Sequence, residues 1–245
     1  MRHVEQVMGT AVSIELADDR PDEELRALVA DVCGWLHEVD ARFSTYKEDS
    51  EVSRLRRGEL TYADSHPDLQ HVLGACADLW RATDGYFDAY AGGTIDPSGY
   101  VKGWSVEVAS ARLAAAGCHT HYIGAGGDIR ARGDRVWRVG VRHPWQADKV
   151  AWKLAVTDGA VATSGTYERG GHVINPRTGR PATFLRSVTV VGPDLTLADV
   201  HATTALAMES EALSYLEKLT AEGYESAAVT EDGQAFTTPD LPVVA

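Results

Sequence analysis

The spacing of apolar residues predicts a strand followed by two helices in the first third of the chain. Apolar and polar side chains alternate over residues 12–16, which indicates a half-buried strand. Behind Pro21, apolar residues recur at helical spacing over residues 25–39, and this predicts a first helix. A second helix is predicted from about residue 67 to residue 80, ending at Asp84-Gly85.

A third helical stripe runs from residue 101 to residue 115. We expect this helix to begin directly behind Lys102-Gly103, so that its first amides face the preceding loop. Farther along, residues 122–141 predict a hairpin that turns at Gly133-Asp134, and residues 152–163 predict a second hairpin that turns at Asp158-Gly159.

The last third of the chain predicts a strand over residues 188–191, a helical region over residues 194–219 and a closing hairpin over residues 227–236. Hairpins and helices follow one another without a regular strand–helix alternation. This favours an α+β fold with mixed, largely antiparallel sheets and packed helices, in a single domain over residues 1–245.

Composition narrows the function classes. The 245 residues are 44% hydrophobic and carry a formal net charge of −13, which is typical of a globular protein that repels nucleic acid and acidic membranes. Cys33, Cys76 and Cys118 lie in apolar segments, so we interpret them as reduced packing residues and not as a disulfide frame or a zinc site. Residues 1–5 lack an apolar signal core and no long apolar run follows, so we expect a cytoplasmic protein without membrane insertion.

Two segments offer groups for binding ions. Asp96-Pro97-Ser98-Gly99-Tyr100-Val101-Lys102-Gly103-Trp104 combines a carboxylate, an ammonium and two glycines, although Asp-Pro-Ser-Gly is also an ordinary turn sequence. Asp199 and Thr203 are four residues apart on a predicted helix and therefore share a face. Their oxygens suit a hard cation such as Mg²⁺, but from these residues alone the preferred explanation is an Asp that complements the helix dipole in the first turn and a Thr bonded to the preceding turn.

Three further segments are candidates for anion binding or proton transfer. The glycines of Gly124-Ala125-Gly126-Gly127-Asp128 offer free amides to a phosphate, or form a tight strand connection. Ser164-Gly165-Thr166-Tyr167 could hold an anion, but it lacks the pattern of a hydrolase nucleophile. His172 enters a turn and could accept a proton near neutral pH. We interpret His119 and His121 as surface residues.

Taken together, several segments follow one another in a recognisable order: Met8-Gly9-Thr10, Ser44-Thr45-Tyr46 with Ser50-Glu51-Val52-Ser53-Arg54-Leu55, Asp84-Gly85-Tyr86-Phe87-Asp88, Asp96 to Trp104, Gly126-Gly127-Asp128, Thr163-Ser164-Gly165-Thr166-Tyr167-Glu168-Arg169, His172 to Pro181, and Ala198-Asp199-Val200-His201-Ala202-Thr203. This series resembles the ApbE family, the FAD:protein FMN transferases, over nearly the whole chain. The stretch between Asp88 and Asp96 is shorter than in many members, so part of the usual pocket rim or of the surface that docks the target protein is missing.

The resemblance implies an α+β fold of the tunnelling-fold kind, FAD as the donor substrate and Mg²⁺, or Mn²⁺, as the required ion. It implies a metal site at Gly99, Asp199 and Thr203, and catalytic roles for Lys102 and His172. The residues that it implies for flavin binding are Met8, Tyr46, Tyr86, Phe87, Asp88, Asp96, Lys102, Gly126, Gly127 and Arg186.

The activity implied by the resemblance is transfer of FMN from FAD to a Thr or Ser hydroxyl of a target protein, with release of AMP. Two alternatives stay open at this point. One is a Mg²⁺-dependent FAD pyrophosphatase that releases FMN and AMP, and the other is a non-catalytic flavin-binding protein. The sequence names neither the acceptor protein nor the oligomeric state.

Overall fold

A computed structural model describes residues 1–169 and 173–244, which form an α+β fold. The strands are β1 (Arg2–Val7), β2 (Thr10–Leu16), β3 (His121–Ala125), β4 (Asp128–Arg132), β5 (Trp137–Arg142), β6 (Val150–Val156), β7 (Gly159–Gly165), β8 (Ile174–Asn175), β9 (Arg180–Pro181), β10 (Leu185–Gly192), β11 (Glu225–Thr230) and β12 (Ala235–Thr237). The helices are α1 (Asp22–Phe43), α2 (Glu51–Arg56), α3 (Pro67–Ala82), α4 (Ser98–Ala115), α5 (Thr166–Arg169), α6 (Leu195–Ala207) and α7 (Ala212–Leu219), with short 3₁₀ turns at Glu209–Glu211 and Thr220–Glu222.

The central element is an antiparallel sheet in the order β1-β2-β3-β4-β7-β10-β11-β12. Strands β5 and β6 pair separately, as do β8 and β9. Because neighbouring strands run in opposite directions, the β1–β2 turn, the β3–β4 turn, the end of β7 and the start of β10 all lie at one end of the sheet.

Hydrophobic residues cover both faces of this sheet. Ala160 and Ala162 of β7 belong to the larger cluster, which includes residues of α1, α3, α4, α6 and α7, whereas Val161 between them belongs to a second cluster with β5 and β6. Successive strand residues point to opposite faces. The helices therefore form one outer layer, and the β5–β6 pair covers the other face.

Local signals explain where several helices begin. The Ser50 hydroxyl accepts a hydrogen bond from the Ser53 amide at the start of α2, and Pro67 occupies the first turn of α3. The Asp194 carboxylate accepts from the Leu197 amide at the start of α6. These contacts satisfy amides that have no partner within their helix.

The predicted α+β class is confirmed. The first two predicted helices are confirmed as α1 and α3, and the closing hairpin is confirmed as β11 and β12. Two predicted strand pairings were wrong. The strands on either side of residues 133–134 do not pair, because β4 pairs with β3 and β7 whereas β5 pairs with β6. The residues 152–163 do not form a hairpin, because β6 and β7 lie in different sheets. Sequence analysis also missed β1 and α2. Among the residues that the structure describes, no helix is both long and apolar enough to cross a membrane.

The third predicted helix, which is α4, begins earlier than predicted. Helix α4 starts at Ser98, so Lys102 and Gly103 lie within it and not in the loop before it. The Asp96 carboxylate accepts a hydrogen bond from the Ser98 amide at 3.0 Å, and this contact stabilises the first turn at the earlier position. Glycines at 99 and 103 are tolerated because this helix face packs closely against other elements.

Candidate functional site

Two glycine-containing turns lie side by side at one end of the large sheet. Met8 and Gly9 connect β1 to β2, and Gly126 and Gly127 connect β3 to β4, with positive φ at all four residues. The turns are neighbours because β2 pairs with β3. A Cβ atom on Gly126 would lie 3.2 Å from the Thr10 hydroxyl oxygen, so glycine suits this position both sterically and conformationally.

Lys102 joins two buried carboxylates next to these turns. Its ammonium nitrogen contacts Oδ2 of Asp128 and lies 3.3 Å from Oδ2 of Asp199. Asp128 is fully buried and Asp199 is 2% exposed, whereas the Lys102 side chain is 28% exposed. Two carboxylates and one ammonium carry a formal charge of −1, so the group can accept a further cation.

A close approach of α4 and α6 produces this arrangement. A Cβ atom on Gly103 would lie 2.8 Å from the Leu195 carbonyl oxygen and 3.2 Å from Cβ of Asp199. Only glycine leaves room for this distance between the two helices. As a result, Lys102 on α4 reaches Asp199 on α6.

The three predicted metal ligands lie on these same two helices. Asp199 and Thr203 are one turn apart on α6, and the Thr203 hydroxyl is 3.1 Å from the Ser164 hydroxyl. Gly99 lies one turn before Gly103 on α4, and helical carbonyls point along the axis towards the following turn. Carboxylate, hydroxyl and peptide oxygens are ligands that Mg²⁺ prefers, so the donor types present fit this ion.

Phe87 and Tyr86 lie before α4 and are buried. A Cβ atom on Gly99 would be 3.5 Å from the Phe87 ring, which therefore packs on the first turn of α4. The Tyr86 hydroxyl donates to Glu211 at 3.0 Å, and the Arg177 guanidinium lies 4.2 Å from its ring centre. Tyr86 thus already makes contacts within the protein.

The predicted carboxylates Asp88 and Asp96 stabilise the loop between Phe87 and α4. Asp88 accepts from the Tyr90 amide at 2.8 Å. Asp96 accepts from the Ser98 amide, and its other oxygen lies 3.7 Å from the Arg56 guanidinium. Both residues therefore shape the loop that leads into α4.

Tyr46 and Arg186 are not in contact with the Lys102 group through any described interaction. Tyr46 is 94% exposed. The Arg186 guanidinium is 3.2 Å from Glu231, and its carbon lies 5.6 Å and 5.9 Å from the ring centres of Trp145 and Tyr167. Arg186 therefore belongs to an arginine–aromatic group at the start of β10.

Sequence analysis missed two residues of this site as side-chain contributors. Asp128 pairs with Lys102, whereas the sequence predicts for this segment only glycine amides that bind a phosphate or a tight strand connection. Ser164 contacts Thr203, but it was considered only for anion binding. The position of Asp128 directly after two glycines, at the start of β4, is the sequence feature that could have indicated a role for its side chain. His172, the predicted proton acceptor, lies outside the described residues.

Comparisons with known proteins agree with the fold. A FAD:protein FMN transferase of Rhodobacter capsulatus is 35% identical, and the match covers 60% of this chain but 30% of that protein's length. One of Haemophilus influenzae is 23% identical, with 94% of this chain and 89% of that protein covered. The structure of an ApbE protein from Thermotoga maritima matches with a TM-score of 0.88 and 21% identity, over 98% of this chain and 97% of that chain.

The family assignment depends on a match that spans most of the sequence. It includes the Met8 turn, the Lys102 helix, the Asp128 strand and the two α6 residues Asp199 and Thr203. Because the model of the ApbE family matches residues 8–94 and 91–225, this chain belongs to the ApbE family.

Proposed function

We propose that this chain transfers FMN from FAD to a Thr or Ser hydroxyl of a target protein and releases AMP. The relatives that are named FAD:protein FMN transferases support this activity. The observation that carries the proposal is the buried group in which Lys102 joins Asp128 and Asp199, next to the hydroxyl of Thr203.

In the proposed site, Asp199, Thr203 and the Gly99 carbonyl would hold Mg²⁺, or Mn²⁺ in its place. Charge neutralisation on the pyrophosphate is what the bound ion would supply. Lys102 holds the Asp199 carboxylate in position and adds positive charge at the site. We place the FAD phosphates and isoalloxazine at this end of the sheet, beside the glycine turns at Gly9 and Gly126.

The proposed reaction is a phosphoryl transfer in which FMN moves from FAD to the acceptor. The acceptor hydroxyl oxygen forms a bond to the FMN-side phosphorus, and the bond from this phosphorus to the bridging oxygen breaks. AMP leaves with the bridging oxygen, and the hydroxyl proton passes to a base, for which His172 is our candidate. The product is FMN joined to the target protein through a phosphoester.

The test is to incubate the chain with FAD and Mg²⁺, with and without candidate acceptor proteins encoded beside it, and to quantify AMP and FMN. We expect AMP only when an acceptor is present, and no free FMN. Release of AMP and free FMN without an acceptor would instead identify an FAD pyrophosphatase. Bound FAD that stays intact in both reactions would identify a flavin-binding protein.

A further inference from the structure

A second group of metal-ligating side chains lies between the edge strand β1 and helix α1. His3 and Glu5 are two residues apart on β1 and therefore point to the same face. Cys33 and His37 are four residues apart on α1 and share a face of that helix. Because α1 packs beside β1, the strand pair and the helix pair meet.

Glu5 is at the centre of this group. One carboxylate oxygen lies 3.1 Å from Nε2 of His3, and the other lies 3.1 Å from Nε2 of His37. Potential ligand atoms of His3, Glu5 and Cys33 all lie within 4.8 Å of one another. The His3 imidazole, the Glu5 carboxylate and the Cys33 sulfur thus surround a small volume, and the His37 imidazole lies against the second carboxylate oxygen.

The group opens into a surface cleft of about 510 Å³, which leaves room for an ion and its remaining water ligands. His3, Glu5 and Cys33 all line this cleft. The side chains of His3 and His37 are 39% and 54% exposed, so they can rotate without disturbing the core.

The donor atoms indicate which cation fits. Nitrogen, sulfur and carboxylate oxygen are the ligands of Zn²⁺, whereas Mg²⁺ prefers oxygen alone. In a tetrahedral zinc site, ligand atoms are separated by about 3.3 to 3.8 Å. The ligand atoms of His3, Glu5 and Cys33, which lie within 4.8 Å of one another, would need an inward movement of about 1 Å, and His37 would become the fourth ligand by a rotation of its exposed side chain.

This group is separate from the site of Lys102. Strand β1 is at the edge of the large sheet and β4, which carries Asp128, is the fourth strand. With strands spaced about 4.8 Å apart, the two strands are about 14 Å apart across the sheet. Glu5 also precedes the Met8 turn by about 10 Å along β1.

We propose that His3, Glu5, Cys33 and His37 bind one divalent cation of the zinc class, which for Cys33 replaces its interpretation from the sequence as a packing residue only. The Cys33 thiol loses its proton to solvent when its sulfur coordinates the ion. The bound ion joins the edge strand β1 to helix α1 and stabilises the folded state. This site is independent of the proposed FMN transfer.

Calorimetric titration of tag-free, chelator-treated protein with Zn²⁺ tests the proposal, with Mg²⁺ present in excess to occupy oxygen-ligand sites. We expect one equivalent of Zn²⁺ to bind the wild type. Binding to Cys33→Ser and His37→Ala should be at least about 100-fold weaker. His119→Ala, which alters an exposed histidine elsewhere, is the matched control and should bind like the wild type.

Co²⁺ provides a second measurement, because coordination by a thiolate produces a sulfur-to-Co²⁺ charge-transfer absorption. We expect this band in the wild type and in His119→Ala, and its absence in Cys33→Ser. Circular dichroism checks that the variants fold. If Cys33→Ser does not fold, His37→Ala still tests the site. A wild type that binds no Zn²⁺, or folded variants that bind it equally well, would overturn the proposal.

Discussion

Lys102 is the residue on which the candidate site depends most at the scale of single side chains. Its ammonium contacts Asp128 and lies near Asp199, and both carboxylates are almost entirely buried. Removing one member of a buried ionic group leaves its partners without compensation, which is costly. Asp199 pairs with Lys102 and is also one of our proposed metal ligands.

We predict that Asp199→Asn lowers Mg²⁺-dependent AMP release by at least about 100-fold, because the variant loses a charged metal ligand but keeps its size. The measurement is the initial rate of AMP formation from FAD in the presence of an acceptor protein, over a range of Mg²⁺ concentrations. Asp31→Asn is the control, since Asp31 is an exposed carboxylate on α1 and should leave the rate unchanged. A full rate for Asp199→Asn would remove Asp199 from the metal site.

The relation of sequence to site is clearest for these residues. The spacing of Asp199 and Thr203 correctly places them on one helix, because helical periodicity is a local property. The contact between Lys102 and Asp128 was not predictable, because it depends on how β4 is positioned beneath α4. Nor could spacing alone show that Gly103 allows α4 to approach α6 so closely.

At the scale of elements, the contact between α4 and α6 sets the geometry of the site. Gly103 lies against the backbone of Leu195 and Thr196 at the start of α6. Glu107, one turn farther along α4, accepts a hydrogen bond from the Leu195 amide at 2.9 Å. The two helices are therefore held together by both packing and a polar contact. This fixes Lys102 on α4 relative to Asp199 on α6.

We expect Gly103→Ala to destabilise the protein by about 1 to 3 kcal/mol, because the added methyl group meets a backbone oxygen that cannot rotate away. Urea unfolding monitored by circular dichroism gives the free energy of unfolding. Gly34→Ala is the matched control: a Cβ atom there meets nothing within 4 Å, so alanine should add up to about 1 kcal/mol through its helix propensity. Equal stability of both variants would contradict the close packing of α4 on α6.

At the scale of the whole molecule, the antiparallel sheet brings distant parts of the sequence to one end. The Met8 turn, the Gly126 turn, Ser164 and Arg186 are far apart in the chain but come near this end through strand pairing. Composition and periodicity predicted the α+β class, but not which strands pair. Alternation over β5 fits any half-buried strand, and only packing against β6 assigns it to the smaller sheet.

The fold also buries histidines that sequence analysis placed at the surface or left aside. His121 is fully buried between Ser110 and the Cys118 carbonyl, so its interpretation as a surface residue was wrong. Burial lowers the pKa of His121 to about 4, and burial does the same to the pKa of His201. In the unfolded chain, each imidazole binds its proton near the ordinary value of 6.5.

We therefore predict that stability is highest above about pH 6.5 and falls as the pH decreases towards 4, because the unfolded state takes up protons first. Each histidine contributes a slope of up to about 1.4 kcal/mol per pH unit. Urea unfolding at pH 7, 6 and 5 measures this slope. His121→Asn should reduce it, whereas His119→Asn should not, because His119 is exposed. The same slope in wild type and His121→Asn would contradict the effect of burial.

The intact mass of an acceptor protein, measured after incubation with this chain, FAD and Mg²⁺, tests the central claim most directly. The account predicts that the acceptor gains the mass of one FMN phosphoester, that AMP appears in equal amount, and that Asp199→Asn produces neither. An acceptor panel that stays unmodified while free FMN and AMP accumulate would contradict protein flavinylation, and so would a mass gain that is independent of Mg²⁺ and Asp199.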